Sequence, residues 1–210
     1  RIIRATASPV PWGGRQRVLL SNFRSSTHPV RTKAEREIYP LLSGLLEVDA
    51  RHDEFAPPDD PAACFEWEKT GRRHHPDYYD RLARCAAVSC FGGYLSTGLL
   101  FWPRLTYALD RRLGDRFKNV YQWDSFRLWE AFASGCLVLH LDFEAHGLEL
   151  PVGPVNRRHY LGFDLRRPAQ AAEFLREHEA DLTTVADAGR RWALEHYSPR
   201  PMAERFLRTL

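Results

Sequence analysis

Lysine is nearly absent from this chain. It occurs only at Lys33, Lys69 and Lys118, so almost all of the positive charge is arginine. The plain reading of that bias is the base composition of the coding sequence. The sharper one, oxyanion recognition by guanidinium forks, requires local evidence. Net charge is scarce too: 30 basic and 27 acidic side chains leave +3, with the two signs interspersed, which argues against a nucleic-acid partner. The four cysteines, Cys64, Cys85, Cys90 and Cys136, have neither CxxC spacing nor the density of a disulfide scaffold. That favours free thiols in a reducing compartment, and the cytoplasm is the expected location. An uninterrupted apolar run is also missing. Residues 86–103 carry no charge, but Ser89, Gly92, Gly93, Ser96, Thr97 and Gly98 break the stretch, so no transmembrane segment is expected. The histidines, among them His74-His75, His140, His146 and His159, lack zinc-ligand spacing, so no metal is expected. Neither an internal repeat nor a low-complexity tract is present.

What is there reads as an alternation of short buried strands and helices. Arg17 to Phe23 is a strand, and Pro29 opens a helical stretch towards Leu46 that Pro40 breaks or kinks. Asp49 to Pro76, centred on Pro57-Pro58-Asp59-Asp60-Pro61, is expected to be a long surface loop. Helix is expected over Asp77 to Arg84 and strand over Ala86 to Cys90, closed by Phe91-Gly92-Gly93. A connecting region with a helix near Arg104 to Leu113 follows. Asp124 is placed as the cap of a helix reaching Ser134, which Gly135 ends. Cys136 to Leu141 and His159 to Asp164 are read as strands, and Pro168–His178, Leu182–Tyr197 and Pro201–Leu210 as helices. This alternation predicts an α/β fold, a doubly wound, Rossmann-like parallel sheet with C-terminal helices. Ligands of such sheets bind beyond the carboxyl ends of the strands, so the loops Ser21 to His28 and Phe91 to Gly93 are the places to look.

The start of the helix at Asp124 has chemistry of its own. A helix N-terminus offers free backbone N–H groups, and Ser125 and Arg127 beside it would complete a seat for a diphosphate. Glu130 is far enough along to leave that seat positive, and its carboxylate suits the two hydroxyls of a ribose.

The run from Ser125-Phe126-Arg127-Leu128-Trp129-Glu130-Ala131 to Gly135-Cys136-Leu137-Val138 resembles the S-x-R-L-x-(D/E)-A-x-x-x-G-C segment of exostosin-like transferases. It is also similar to the corresponding helix of group 1 glycosyltransferases of the GT-B fold, including spore-coat-type members. Tyr79, Leu82 and Ala86 to Cys90 resemble the helix and strand ahead of that family's glycine loop, and Gly189 to Ser198 its C-terminal helix. The likeness covers residues 77 to 210. It departs from the family at Leu137-Val138, where a proline commonly follows Gly-Cys, and at Asp124, only six positions before Glu130, where group 1 members usually carry a second glutamate.

The resemblance implies a GT-B C-terminal, donor-binding domain over residues 1–210, with 1–16 as a linker from a companion N-terminal Rossmann domain that supplies the catalytic base. It implies sugar transfer from a nucleoside diphosphate sugar to an unspecified acceptor, without a cofactor or a metal. Glu130 would hold the donor ribose, Arg127, Ser125 and Asp124 would lie at the diphosphate, and Gly92 and Gly93 would let backbone approach the donor. Arg24 or Lys33, placed after the first strand, would supply a further phosphate cation. His140 with Asp142 forms the one additional candidate pair, and Trp123 a candidate surface for stacking a base. Two competitors remain: a non-catalytic relative that binds a nucleotide or a protein, and a nucleic-acid-binding module.

Overall fold

The structure is a computed structural model and describes residues 12–21, 29–50, 56–72, 75–96, 119–121, 123 and 125–208. Its centre is a five-stranded, all-parallel sheet. The chain runs through β1 (Gln16–Leu20), α1 (Pro29–Lys33), β2 (Glu47–Asp49), α2 (Pro61–Lys69), α3 (Pro76–Arg84) and β3 (Cys85–Ser89). A small antiparallel ribbon of β4 (Tyr94–Ser96) and β5 (Asn119–Tyr121) follows. Then come α4 (Phe126–Ala133), β6 (Leu137–Leu141), β7 (Leu161–Phe163), α5 (Ala169–Glu177), α6 (Leu182–Tyr197) and α7 (Pro199–Leu207).

The order across the sheet is β2-β1-β3-β6-β7. Every residue of β3 and β6 is buried. Central parallel strands lie under helices on both faces, so they read as continuous apolar runs rather than as alternation. One face carries the helical segment 29–42 and α5, joined where Arg176 Nη2 donates to the carbonyl of Leu41 at 2.6 Å. The other carries α3, α4 and α6. Leu19, Leu82, Leu128, Phe132, Leu139 and Phe163 are among the largest fully buried side chains between these layers.

Several expectations are corrected. The stretch from Pro29 is not one helix: α1 passes into a π-helical turn (Ala34–Ile38) and then a 3-10 turn (Tyr39–Leu42). Pro40 has no N–H to give the helical ladder, which explains the change of winding. The expected loop from Asp49 to Pro76 contains α2, because Asp60 caps it by accepting from the Ala63 N–H at 2.7 Å and Pro61 suits its first position. The cap of α4 is Ser125 in extended conformation, one residue later than expected. Arg15 is fixed at the amino edge of the sheet, donating to the carbonyls of Ala83 and Cys85 at 3.0 Å each. The helix expected near Arg104 to Leu113, together with Arg24 and Asp124, lies outside the described residues. No helix among the described residues is long and apolar enough to cross a membrane.

Candidate functional site at the strand-order reversal

The chain leaves β1 for β2 on one side and returns to β3 on the other. Where strand order reverses, the crossover helices diverge to opposite faces and open a crevice at the carboxyl ends of the two strands. In this protein the crevice falls between Ser21, just after β1, and Cys90 to Gly93, just after β3.

Polar side chains converge there. The Tyr39 hydroxyl sits between Ser21 Oγ (2.5 Å) and Ser89 Oγ (2.7 Å), linking both strand ends to the helical segment above them. Burial pushes the Tyr39 phenol above its ordinary pKa. From the same segment Arg31 reaches down, its Nε donating to the Phe91 carbonyl at 3.1 Å. Arg31 is held below the usual arginine range first by burial and then by the charge of Arg127. The two arginines flank the same strand end, Arg31 at the Phe91 carbonyl and Arg127 with its own carbonyl beside the Cys90 thiol.

Arg127, in the first turn of α4, lies over the Tyr78 ring at 5.3 Å. The Tyr78 hydroxyl donates to Glu130 Oε2 at 2.9 Å, and both side chains are buried. Burial, reinforced by Glu130, raises the Tyr78 phenol well above its ordinary value. Cys90, whose thiol approaches the Arg127 carbonyl at 3.6 Å, is likewise pushed up by burial and is not a ready nucleophile.

The glycines have structural reasons to be glycines. Gly93 adopts φ +103°, and a side chain on Gly92 would begin 3.0 Å from the Trp123 carbonyl oxygen.

The structure thus brings together Gly92, Gly93, Arg127 and Glu130, with Ser125 at the mouth of α4. The Ser125 hydroxyl is buried without a hydrogen-bond partner among the described residues. Lys33 pairs with Glu37 at 2.7 Å along its own helix. The cation that stands at the crevice from that segment is Arg31, which sequence reasoning passed over. Its signal was its place in the first turn after Pro29, but only the rotation of that helix distinguishes it from Lys33.

The other candidates are engaged in packing. His140 is fully buried, its Nδ1 3.0 Å from the Leu141 carbonyl oxygen, and burial lowers its pKa to about 4. Asp142 accepts from the backbone N–H of Glu144 (3.0 Å) and from Asn156 Nδ2 (2.8 Å), holding a turn. Trp123 packs edge-on against His140 and Phe143. His75 caps α3 by accepting from the Asp77 N–H at 3.2 Å. Among the described residues no group of three or more His, Cys, Asp or Glu side chains could hold a metal ion.

No protein-family model matches this chain, and no curated protein matches it either. What the fold and the crevice define is an α/β protein with a doubly wound, Rossmann-like parallel sheet and C-terminal helices, carrying two arginines at its strand-order reversal.

Proposed function

We propose that this chain binds the diphosphate of a nucleoside diphosphate sugar at the β1/β3 crevice and forms the donor half of a glycosyltransferase. The observation that carries the reading is the convergence of Arg31 and Arg127 where the strand order reverses, next to a glycine loop. The charge of Arg127 works against that of Arg31, a repulsion felt at the crevice. A diphosphate bridging them would relieve that repulsion. The amino end of α4 and the Ser125 hydroxyl, which has no partner among the described residues, add donors at the same place. During sugar transfer these groups would stabilise the charge that builds on the departing diphosphate. Glu130 would receive a ribose hydroxyl while its Oε2 keeps the Tyr78 O–H, since a carboxylate has lone pairs for more than one donor. Phe126, the first residue of α4 and 70% exposed, offers the base a ring on which to stack.

A specific observation also favours the second reading, a domain that binds the nucleotide without turnover of its own. Tyr39, Tyr78 and Cys90 are all pushed up by burial, so none of them is a base near neutral pH. A base from a companion domain, together with the acceptor, would convert the binding domain into an enzyme.

Thermal-shift titration with UDP, GDP, ADP, TDP and CDP, without metal, tests the reading. One diphosphate at a hundredfold over its Kd should stabilise the fold by about 2.7 kcal/mol. The shift should disappear in Arg127→Ala and weaken in Glu130→Gln. A folded sample that responds to none of the five, or equally to all in both variants, removes the donor site from consideration.

A further inference from the structure

A second concave surface lies between α5, α6 and the turn that leads into the amino end of β7. It encloses about 860 Å³. Three arginines, Arg157, Arg158 and Arg191, and three histidines, His159, His178 and His196, line it. Two carboxylates, Asp181 and Glu195, also face it, and the nearest ionic contact between the sets is Glu195 with His196 at 3.9 Å. None of the three arginines has a carboxylate within ion-pair distance among the described residues. The cleft therefore gathers three guanidiniums that no carboxylate among the described residues holds, with two carboxylates on its rim.

The cleft is also built rather than incidental. Arg157 holds φ +63°, which non-glycine residues seldom adopt, and this conformation turns the chain back on itself. The bonds that close the turn include Arg157 N–H to the Tyr160 carbonyl (2.8 Å), Val155 N–H to His159 Nδ1 (2.9 Å), and Gly162 N–H to Asn156 Oδ1 (2.7 Å). Helix α6 presses directly on it: a Cβ on Gly189 would begin 2.1 Å from the His159 carbonyl oxygen. Planar groups are stacked along the walls, with His159 parallel to Trp192, His178 parallel to Phe174, and the Arg157 guanidinium over the Phe174 ring at 4.8 Å. Stacked in this way, His159, His178 and Arg157 lose little further freedom when a ligand arrives.

From this geometry we infer a second binding site, for a ligand carrying at least one multiply charged phosphate-type oxyanion. With Asp181 and Glu195 also facing the cleft its net charge is small, so the class follows from the number of N–H donors rather than from charge. A single carboxylate would satisfy one guanidinium fork, whereas three forks and three imidazoles match the several oxygens of a phosphate or diphosphate. The apolar parts of Trp192, Phe174 and Val185 leave a dry wall for an organic portion. The site shares no side chain with the β1/β3 crevice and does not depend on the function proposed for it.

Imidazole NMR signals of the whole chain, followed during titration with inorganic pyrophosphate at low ionic strength, locate such binding. The His159 and His196 ring signals are expected to move and saturate. An Arg158→Gln/Arg191→Gln double variant, altered only at exposed side chains, should bind at least about tenfold more weakly with an unchanged melting temperature. Arg127→Ala should leave this titration untouched, which separates it from the crevice. Inorganic phosphate and a hexose phosphate run side by side distinguish a free anion from a phosphorylated sugar, and saturation by either supports the site. Ring signals that stay still up to millimolar pyrophosphate, or equal affinity in the double variant, overturn it.

Discussion

At the scale of single residues, burial decides which titratable groups can act. His140 was readable as a candidate because it ends a strand, but a sequence cannot tell whether a strand-end imidazole faces a ligand or the core. Here it lies among Trp123 and Phe143, and its folded-state pKa of about 4 is below the value near 6.5 of an unfolded chain. Between those values the unfolded chain binds a proton that the folded one does not, so stability falls as pH drops through this window. The full difference is about 3 kcal/mol, present at pH 7 and lost near pH 4. His146 and His159, also lowered by burial, act in the same direction. Urea midpoints measured from pH 7 to pH 4 should therefore decline more steeply in the native chain than in His140→Gln, which cannot titrate. Parallel curves would mean that water reaches the imidazole. Glu130 illustrates the same limit of sequence reading. Its place in the motif marked it, while its bond to Tyr78, on a helix distant in sequence, is visible only once α3 and α4 share a face of the sheet.

Among the elements, those with a strong apolar pattern could be read and those stabilised mainly by local chemistry could not. β3, β6, α3 and α6 fall within a residue or two of their expected places, because each buries several apolar side chains in the core. α2 was missed since Trp67 is its one buried side chain, and its proline and acidic residues imitate a loop. What makes α2 a helix is the cap at Asp60. Asp60→Ala should cost about 1 kcal/mol locally, raising hydrogen exchange of the Ala63 amide and its neighbours by roughly fivefold. The global unfolding midpoint should barely change, since so little of the core rests on this helix. An equal loss of protection in β3 and β6 would show instead that α2 unfolds together with the sheet.

For the whole molecule, alternation of strands and helices was enough to indicate a parallel sheet, but not its strand order. That order depends on which side of β1 the three-residue β2 joins, a choice made by the crossover and not by any residue pattern in the strand. The place of the crevice, and with it the choice of Arg31 over Lys33, followed only from the order. Charge at this scale separates the anion-site readings from a nucleic-acid module. With 30 basic and 27 acidic side chains, the molecule as a whole has no field to draw a polyanion. A module gripping six to ten phosphates would lose about 10³–10⁵ in affinity between 50 and 200 mM salt. We expect no saturable binding of mixed-sequence DNA or RNA in fluorescence anisotropy at about 150 mM salt, where counterions screen charges beyond roughly 8 Å. At the same salt, short-range contacts to a diphosphate within the crevice should persist, because partly buried charges are screened far less. Tight nucleic-acid binding with a steep salt slope, and no response to nucleoside diphosphates, would transfer the role of Arg31 and Arg127 from a donor phosphate to a nucleic-acid backbone.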